Sequence, residues 1–343
     1  MSEQRFERTV RLNRMSDGET QSTSSFLHTI LNLYRDLNNR YEIDTVVVST
    51  INQWLKNHNI DRKRLFDVVY ERRNDPLYIL FLAFLYQWGI GCNVDPKKAF
   101  HYNMVAAQNG DPQAQNQVGA FFYIGLGTNR DPVNSFYWFE KAASNGCATA
   151  ASWLGSFYQE GIVPCKIDSN KAFQLFTQSA EGGDASGQAN LGQCYKDGIG
   201  TSVDETKAAY WYKKSAESGW PPGQFWFGTC LFGGLGVKKN LKEAFFWFQK
   251  AANEGDDRGQ NWLGYLYQHG KGVRQDKIKS VYWYRKSATV GRNPSALHNL
   301  AYCYRFGSGI VKDTHESIRY YYLANKSRHK AGYEGISQVF MAI

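Results

Sequence analysis

An internal period of about 36 residues constrains this 343-residue chain more than any other feature. A glycine that follows a pair of small residues recurs at Gly110, Gly146, Gly183, Gly219, Gly255 and Gly291, with spacings of 36, 37, 36, 36 and 36. A second marker, a small residue after an apolar one, recurs at Ala83, Gly119, Gly155, Gly192, Gly228, Gly264 and Ala301, with spacings of 36, 36, 37, 36, 36 and 37. Two independent markers that keep register over seven units are not a coincidence of composition.

Within a unit such as ASWLGSFYQEG, apolar and small residues fall at helical spacing, and in most units the helix stops at paired glycines. Gly125 with Gly127, Gly198 with Gly200 and Gly270 with Gly272 are such pairs, the first suited to the positive φ that ends a helix. Asp95, Asp131, Asp168, Asp204, Asp276 and Asp313, with Asn240 in the fifth unit, then stand where an N-cap is needed. The helix that follows reads SFYWFEKAA, AAYWYKKSA, AFFWFQKAA or SVYWYRKSA, with aromatic pairs placed to wedge between neighbours. Each unit is therefore helix, turn, helix, and only stacking buries its apolar face.

These residues closely resemble the Sel-1-like repeat family, relatives of tetratricopeptide repeats. The resemblance implies an all-α fold, a right-handed α-α superhelix of seven repeats: about 75–110, 111–146, 147–183, 184–219, 220–255, 256–291 and 292–327. The third unit departs from the pattern by placing Val163 and Pro164 at the second turn glycine. Residues 1–24 lack periodicity and read as a disordered tail, and 25–74 read as an N-terminal helical cap. The cap is needed because LYILFLAFLY in the first unit is apolar all round and requires cover on both sides. Residues 328–343 read as a closing helix. The segment before the array also resembles the region preceding such arrays in fungal families, some of whose members carry kinase domains. That implies a signalling setting, although no kinase domain is present.

Charge is uneven. Val237 to Ile343 holds 18 basic and 8 acidic residues, against 22 and 23 in Met1 to Gly236. A basic end steers acidic partners, or is simply a solvated surface. The longest apolar run, Leu77 to Tyr86, is too short to cross a bilayer, and the N-terminus shows no secretory pattern. The six cysteines form no CxxC pair and no zinc spacing, so free thiols and a cytoplasmic location are expected.

No catalytic residue, cofactor or metal is expected. The GxG pairs never continue as GxGxxG, and HExxH, GxSxG and the kinase motifs are missing. Ser327 and Lys330 fit SxxK, the motif of penicillin-binding relatives of this fold, but lack its SDN and KTG partners.

By the same resemblance, the first helix of each unit lines a concave face. That implies a partner-binding set of Asn116, Tyr123, Phe225, Phe232, Arg258, Asn261, Tyr265, His298, Tyr302 and Arg305. Aromatic and Arg residues are what binding hot spots favour. Phe225 and Phe232 have two readings, groove anchors or fillers of gaps between helices. The function that follows is a non-catalytic adaptor holding a protein or peptide, acidic or hydrophobic, in its groove. The alternative is a nucleic-acid binder that uses the basic end and stacks bases on aromatics; a hydrolase would require a titratable cluster that spacing does not reveal.

Overall fold

The computed structural model describes residues 23–39, 44–290 and 293–330. All seventeen elements among them are α-helices. Thr23–Asn39, Asp44–Asn57 and Arg62–Glu71 precede seven helix pairs. The pairs are Pro76–Trp88 with Pro96–Gln108, Pro112–Ile124 with Pro132–Ser144, Ala148–Glu160 with Ser169–Glu181, and Ala185–Asp197 with Glu205–Glu217. Pro221–Gly233 with Leu241–Asn253, Asp257–His269 with Lys277–Val290, and Pro294–Phe306 with Thr314–Lys330 complete the array. The fold is the all-α solenoid that the period requires.

Of the tail expected over 1–24, residues 1–22 lie outside the described residues, and Thr23 and Ser24 open the first helix. Of the closing helix expected over 328–343, residues 331–343 lie outside them, and 328–330 continue the helix begun at Thr314.

Two compact units divide the chain, Met1–Val105 and Ala106–Ile343. In the first, the all-apolar helix Pro76–Trp88 is covered on more than one side. Tyr34 sets its ring 5.1 Å from Phe81 and 5.0 Å from Phe84. Tyr86 meets Phe66 at 5.3 Å and Tyr102 at 5.8 Å. This explains how a helix without a polar stripe is tolerated: Phe81, Leu82 and Leu85 are buried by elements from both sequence directions.

In the second unit, one steric device repeats. The glycine marker of a first helix receives the aromatic ring of its own second helix, as with Phe139 against Gly119, Phe176 against Gly155, Tyr212 against Gly192 and Tyr284 against Gly264. All four rings are buried, each contributing roughly 1.5–3 kcal/mol of transfer free energy. The missing Cβ is what admits them.

A second device satisfies helix ends. Gln115, Gln188 and Gln260, four residues before the marker, donate Nε2 to the carbonyls of Ala107, Ala180 and Ala252 at 3.1, 3.4 and 3.2 Å. Those carbonyls close the preceding helix and lack an intrahelical donor. All seven expected caps form, with Asp95, Asp131, Asp168, Asp204, Asn240, Asp276 and Asp313 each accepting from a backbone N–H two or three residues on.

The turn glycines differ in their reasons. Gly198, with φ +71, ends its helix in the left-handed region. Gly200 does more than turn, because a Cβ there would collide with the carbonyl of Ser169 in the previous pair. The third pair, lacking that glycine, turns through a cis Val163–Pro164 peptide.

Candidate functional site

The first helix Ala185–Asp197 packs on both neighbouring first helices, Ala148–Glu160 and Pro221–Gly233; among the described residues no two successive second helices make a comparable approach. Polar side chains tie the first helices together. Asn190 Nδ2 donates to Ser152 Oγ at 3.1 Å, and Asn299 Nδ2 to Asn261 Oδ1 at 3.0 Å. Asp184, itself buried, caps its helix through the Gly187 N–H while accepting from Ser186 Oγ at 2.6 Å and Thr149 Oγ1 at 3.0 Å. Asn261 is thus a link between helices as well as a surface amide.

Against this frame the expected groove residues separate into groups. Asn116 is 8% exposed and Phe225 6%, so both belong to the packed interior and offer little surface to a partner. Phe225 takes the filler reading: its ring packs on Phe248 at 5.9 Å and on Trp226 at 5.0 Å. Phe232 is half-buried and meets Trp262 at 4.8 Å and Tyr265 at 6.2 Å. Tyr265 receives a hydrogen bond from Lys271 Nζ at 2.8 Å and lies 4.5 Å from the ring of His269. Burial, and then the charge of Lys271, push the His269 imidazolium below its ordinary pKa.

Tyr123 stands apart from these, its ring 5.2 Å from Trp153. His298 is exposed and edge-on to Tyr321 at 5.1 Å. Tyr302 is exposed beside Phe306 at 4.6 Å, and Arg305 extends over that same Phe306 ring at 5.3 Å. The ten residues therefore form separate patches: Arg258 contacts Asp256, Phe225 and Trp226, whereas Arg305 lies over Phe306.

The most concentrated constellation centres on a residue outside the expected set. Trp226 carries two cations over its indole, Lys196 Nζ at 4.5 Å and the Arg258 guanidinium at 5.9 Å. Three successive pairs supply the three residues. Arg258 also lies 4.6 Å from Phe225 and donates to Asp256 at 2.7 Å, which uses one of its five N–H donors. Lys196 is 3.4 Å from Asp197. A recurring Trp two residues before the marker, at Trp153, Trp226 and Trp262, is the sequence signal that identifies this position.

The strongest pKa shifts on the array come from burial. Tyr212 and Tyr284 are driven far above the ordinary phenol range, Cys194 up to about 12, and Cys230 and Cys303 up to about 11. Each shift favours the neutral, non-nucleophilic form. Among the described residues, no group of three or more His, Cys, Asp and Glu side chains is arranged to hold a metal. No described helix is long and apolar enough to cross a membrane.

With the helix pairs and their markers in place, the comparison with known families is decisive. The Sel1 repeat model matches seven consecutive segments: residues 77–111, 112–147, 148–184, 185–220, 221–256, 257–291 and 294–329. The chain belongs to the Sel1 repeat family. Repeats 1 to 7 below follow that order. No curated protein matches the sequence significantly. Among solved structures, the chain is similar to a Sel1 repeat protein from Oxalobacter formigenes, with 27% identity, a TM-score of 0.61, and 72% of this chain and 96% of that one covered. It is also similar to c5321, a protective antigen of uropathogenic Escherichia coli strains displaying the same repeat fold. There the identity is 25%, the TM-score 0.52, and the coverage 79% of this chain and 66% of that one. Sel1 repeat proteins in general act as protein-interaction scaffolds.

Proposed function

We propose that this protein is a non-catalytic adaptor that holds a peptide segment of a partner across the first helices of repeats 4, 5 and 6. The Lys196–Trp226–Arg258 constellation carries the reading. Two cations converge on one half-buried indole, and both are drawn from first helices that otherwise carry few charges. A carboxylate of the partner would bridge the cations while an apolar neighbour lies on Trp226, the combination of aromatic and Arg anchors that dominates binding energetics. Tyr265, Tyr302 and Arg305 belong to the first helices of repeats 6 and 7.

The non-catalytic reading is supported by the direction of the pKa shifts, which quench the nucleophiles the array possesses. Burial of Cys147, Cys194, Cys230 and Cys303 as free thiols in separate repeats supports a reducing compartment, the cytoplasm. A signalling role rests on the resemblance to kinase-bearing relatives alone. The nucleic-acid reading has less support on this side: among the described basic residues after Val237, only Arg258 and Arg305 lie on first helices.

The test is affinity capture from a lysate with and without nuclease, comparing wild type with Lys196→Glu/Arg258→Glu. Proteins retained through nuclease and lost from the variant support the adaptor. Capture abolished by nuclease, or unaffected by the variant, overturns it.

A further inference from the structure

Tyr210, Phe246 and Tyr282 occupy one position in the second helices of repeats 4, 5 and 6, each directly before the Trp of the repeat motif. They are 53%, 48% and 56% exposed. Each ring is edge-on to the Trp of its own helix, at 5.2, 5.3 and 5.1 Å, so the described ring partner is intrahelical. Contact with the first helices is made two residues later, by Tyr212, Phe248 and Tyr284 against their glycines. Stacking of the repeats does not need an aromatic at the exposed position: repeat 3 carries Gln174 there, exposed, within the same helix geometry. Three half-exposed rings in register on successive repeats are an apolar row without a structural task.

Lysines accompany the row. Four residues on, Lys214 Nζ lies 5.8 Å from the Tyr210 ring, Lys250 4.9 Å from Phe246, and Lys286 5.1 Å from Trp283. The second helix of repeat 6, Lys277–Val290, bears Lys277, Lys279, Arg285 and Lys286 and no acidic residue. Among the described Lys and Arg residues after Val237, all but Arg258 and Arg305 stand on second helices or turns.

We propose that this row is a second docking face, for an acidic polypeptide segment of a partner protein whose carboxylates meet the lysines and whose apolar side chains lie on the rings. Charge complementarity calls for an anionic occupant. Glu205, Glu217 and Glu243 stand on the same helices, where an unbroken phosphodiester backbone would meet repulsion and a peptide with discrete carboxylates would not. Among the described residues, successive second helices are not packed on one another as Ala185–Asp197 is on its two neighbouring first helices, and an extended polypeptide can pass from one ring to the next. The row stands on second helices and the Trp226 constellation on first helices, so the protein would join two partners.

The experiment uses the full chain carrying Lys196→Glu/Arg258→Glu, which disables the first-helix constellation, and a fluorescein-labelled Glu–Tyr random copolymer read by anisotropy. Binding in this background is expected, with a loss of at least about tenfold when Tyr210→Gln, Phe246→Gln and Tyr282→Gln are added. Glutamine is the residue repeat 3 tolerates at this position, so helical circular dichroism is expected to be unchanged. Lys214→Gln, Lys250→Gln and Lys286→Gln should reproduce the loss without touching the rings. Binding that neither triple reduces overturns the proposal. So does tighter, ring-dependent binding of labelled oligo-dT or of phosphatidylserine vesicles, either of which would assign the face to another class of partner.

Discussion

Gly264 lies so close to Tyr284 that a Cβ built on it would stand 2.6 Å from the ring's Cδ1. Gly228 leaves more room, with the nearest atom of Phe248 at 3.1 Å. Ala favours a helix over Gly by about 1 kcal/mol, so the two terms compete. At Gly264 the ring is walled in and overpacking wins: Gly264→Ala is expected to destabilise the protein by about 1–3 kcal/mol. At Gly228 a small shift of Phe248 relieves most of the contact, and Gly228→Ala should cost clearly less. Urea denaturation of both variants checks the order, and equal costs would show that the marker is chosen for backbone reasons instead.

Gln115 and Gln260 hold the same repeat position, yet their amides are differently satisfied. Gln115 donates to Ala107 O at 3.1 Å and accepts from Asn145 Nδ2 at 2.9 Å. Gln260 makes the donor bond to Ala252 O, while its buried Oε1 has no hydrogen-bond partner among the described residues. Both carbonyls also accept a turn N–H, from Gly110 and Gly255, so replacement by Leu removes only their second donor; at Gln115 it also strips Asn145 Nδ2 of its acceptor, whereas at Gln260 it removes an unpaired one, and each lost hydrogen bond costs about 1 kcal/mol. Gln115→Leu should therefore lower the unfolding midpoint more than Gln260→Leu.

The N-caps make stability depend on pH at the acid end. Hydrogen bonds from the Asn134 backbone and side chain hold the Asp131 carboxyl below its usual range, and the Lys207 backbone N–H does the same for Asp204. A carboxylate with a depressed folded-state pKa stabilises the fold above its unfolded value of about 4 and loses that contribution as pH falls through the folded one. The melting temperature is expected to drop below about pH 4. Asp131→Asn, which keeps a capping oxygen without the titration, should weaken that dependence.

Thiol reactivity should divide the cysteines. Burial pushes Cys194 up to about 12 and Cys147, Cys230 and Cys303 to about 11, while Cys92 and Cys165 are raised but only half-buried. At pH 8 an aromatic disulfide reagent is expected to modify Cys92 and Cys165 first and the other four after unfolding. The neutral thiol is favoured in the folded state. The associated stability is therefore complete below the unfolded pKa of about 8.5 and is lost as pH rises from there toward the folded values. Rapid labelling of Cys194 in the native protein would contradict its burial.

The sequence by itself determined the period, the helix pairs, the turns and the seven N-caps, because each depends on residues a few positions apart. A glycine marker, an Asp before a helix and a paired GxG express local φ, capping and volume constraints that recur in most units. It also required a cover for Pro76–Trp88, since an all-apolar surface cannot face water. Only the tertiary structure decided which of the ten expected groove residues are accessible. Phe225 and Tyr302 have comparable apolar character, but the turn of the helix buries one against Phe248 and leaves the other exposed. Nor does spacing along the chain show that Lys196, Trp226 and Arg258 converge, because they come from three repeats and meet only when the helices stack. Convergence across repeats is a property of packing, which sums contacts distant in sequence, and no local pattern encodes it.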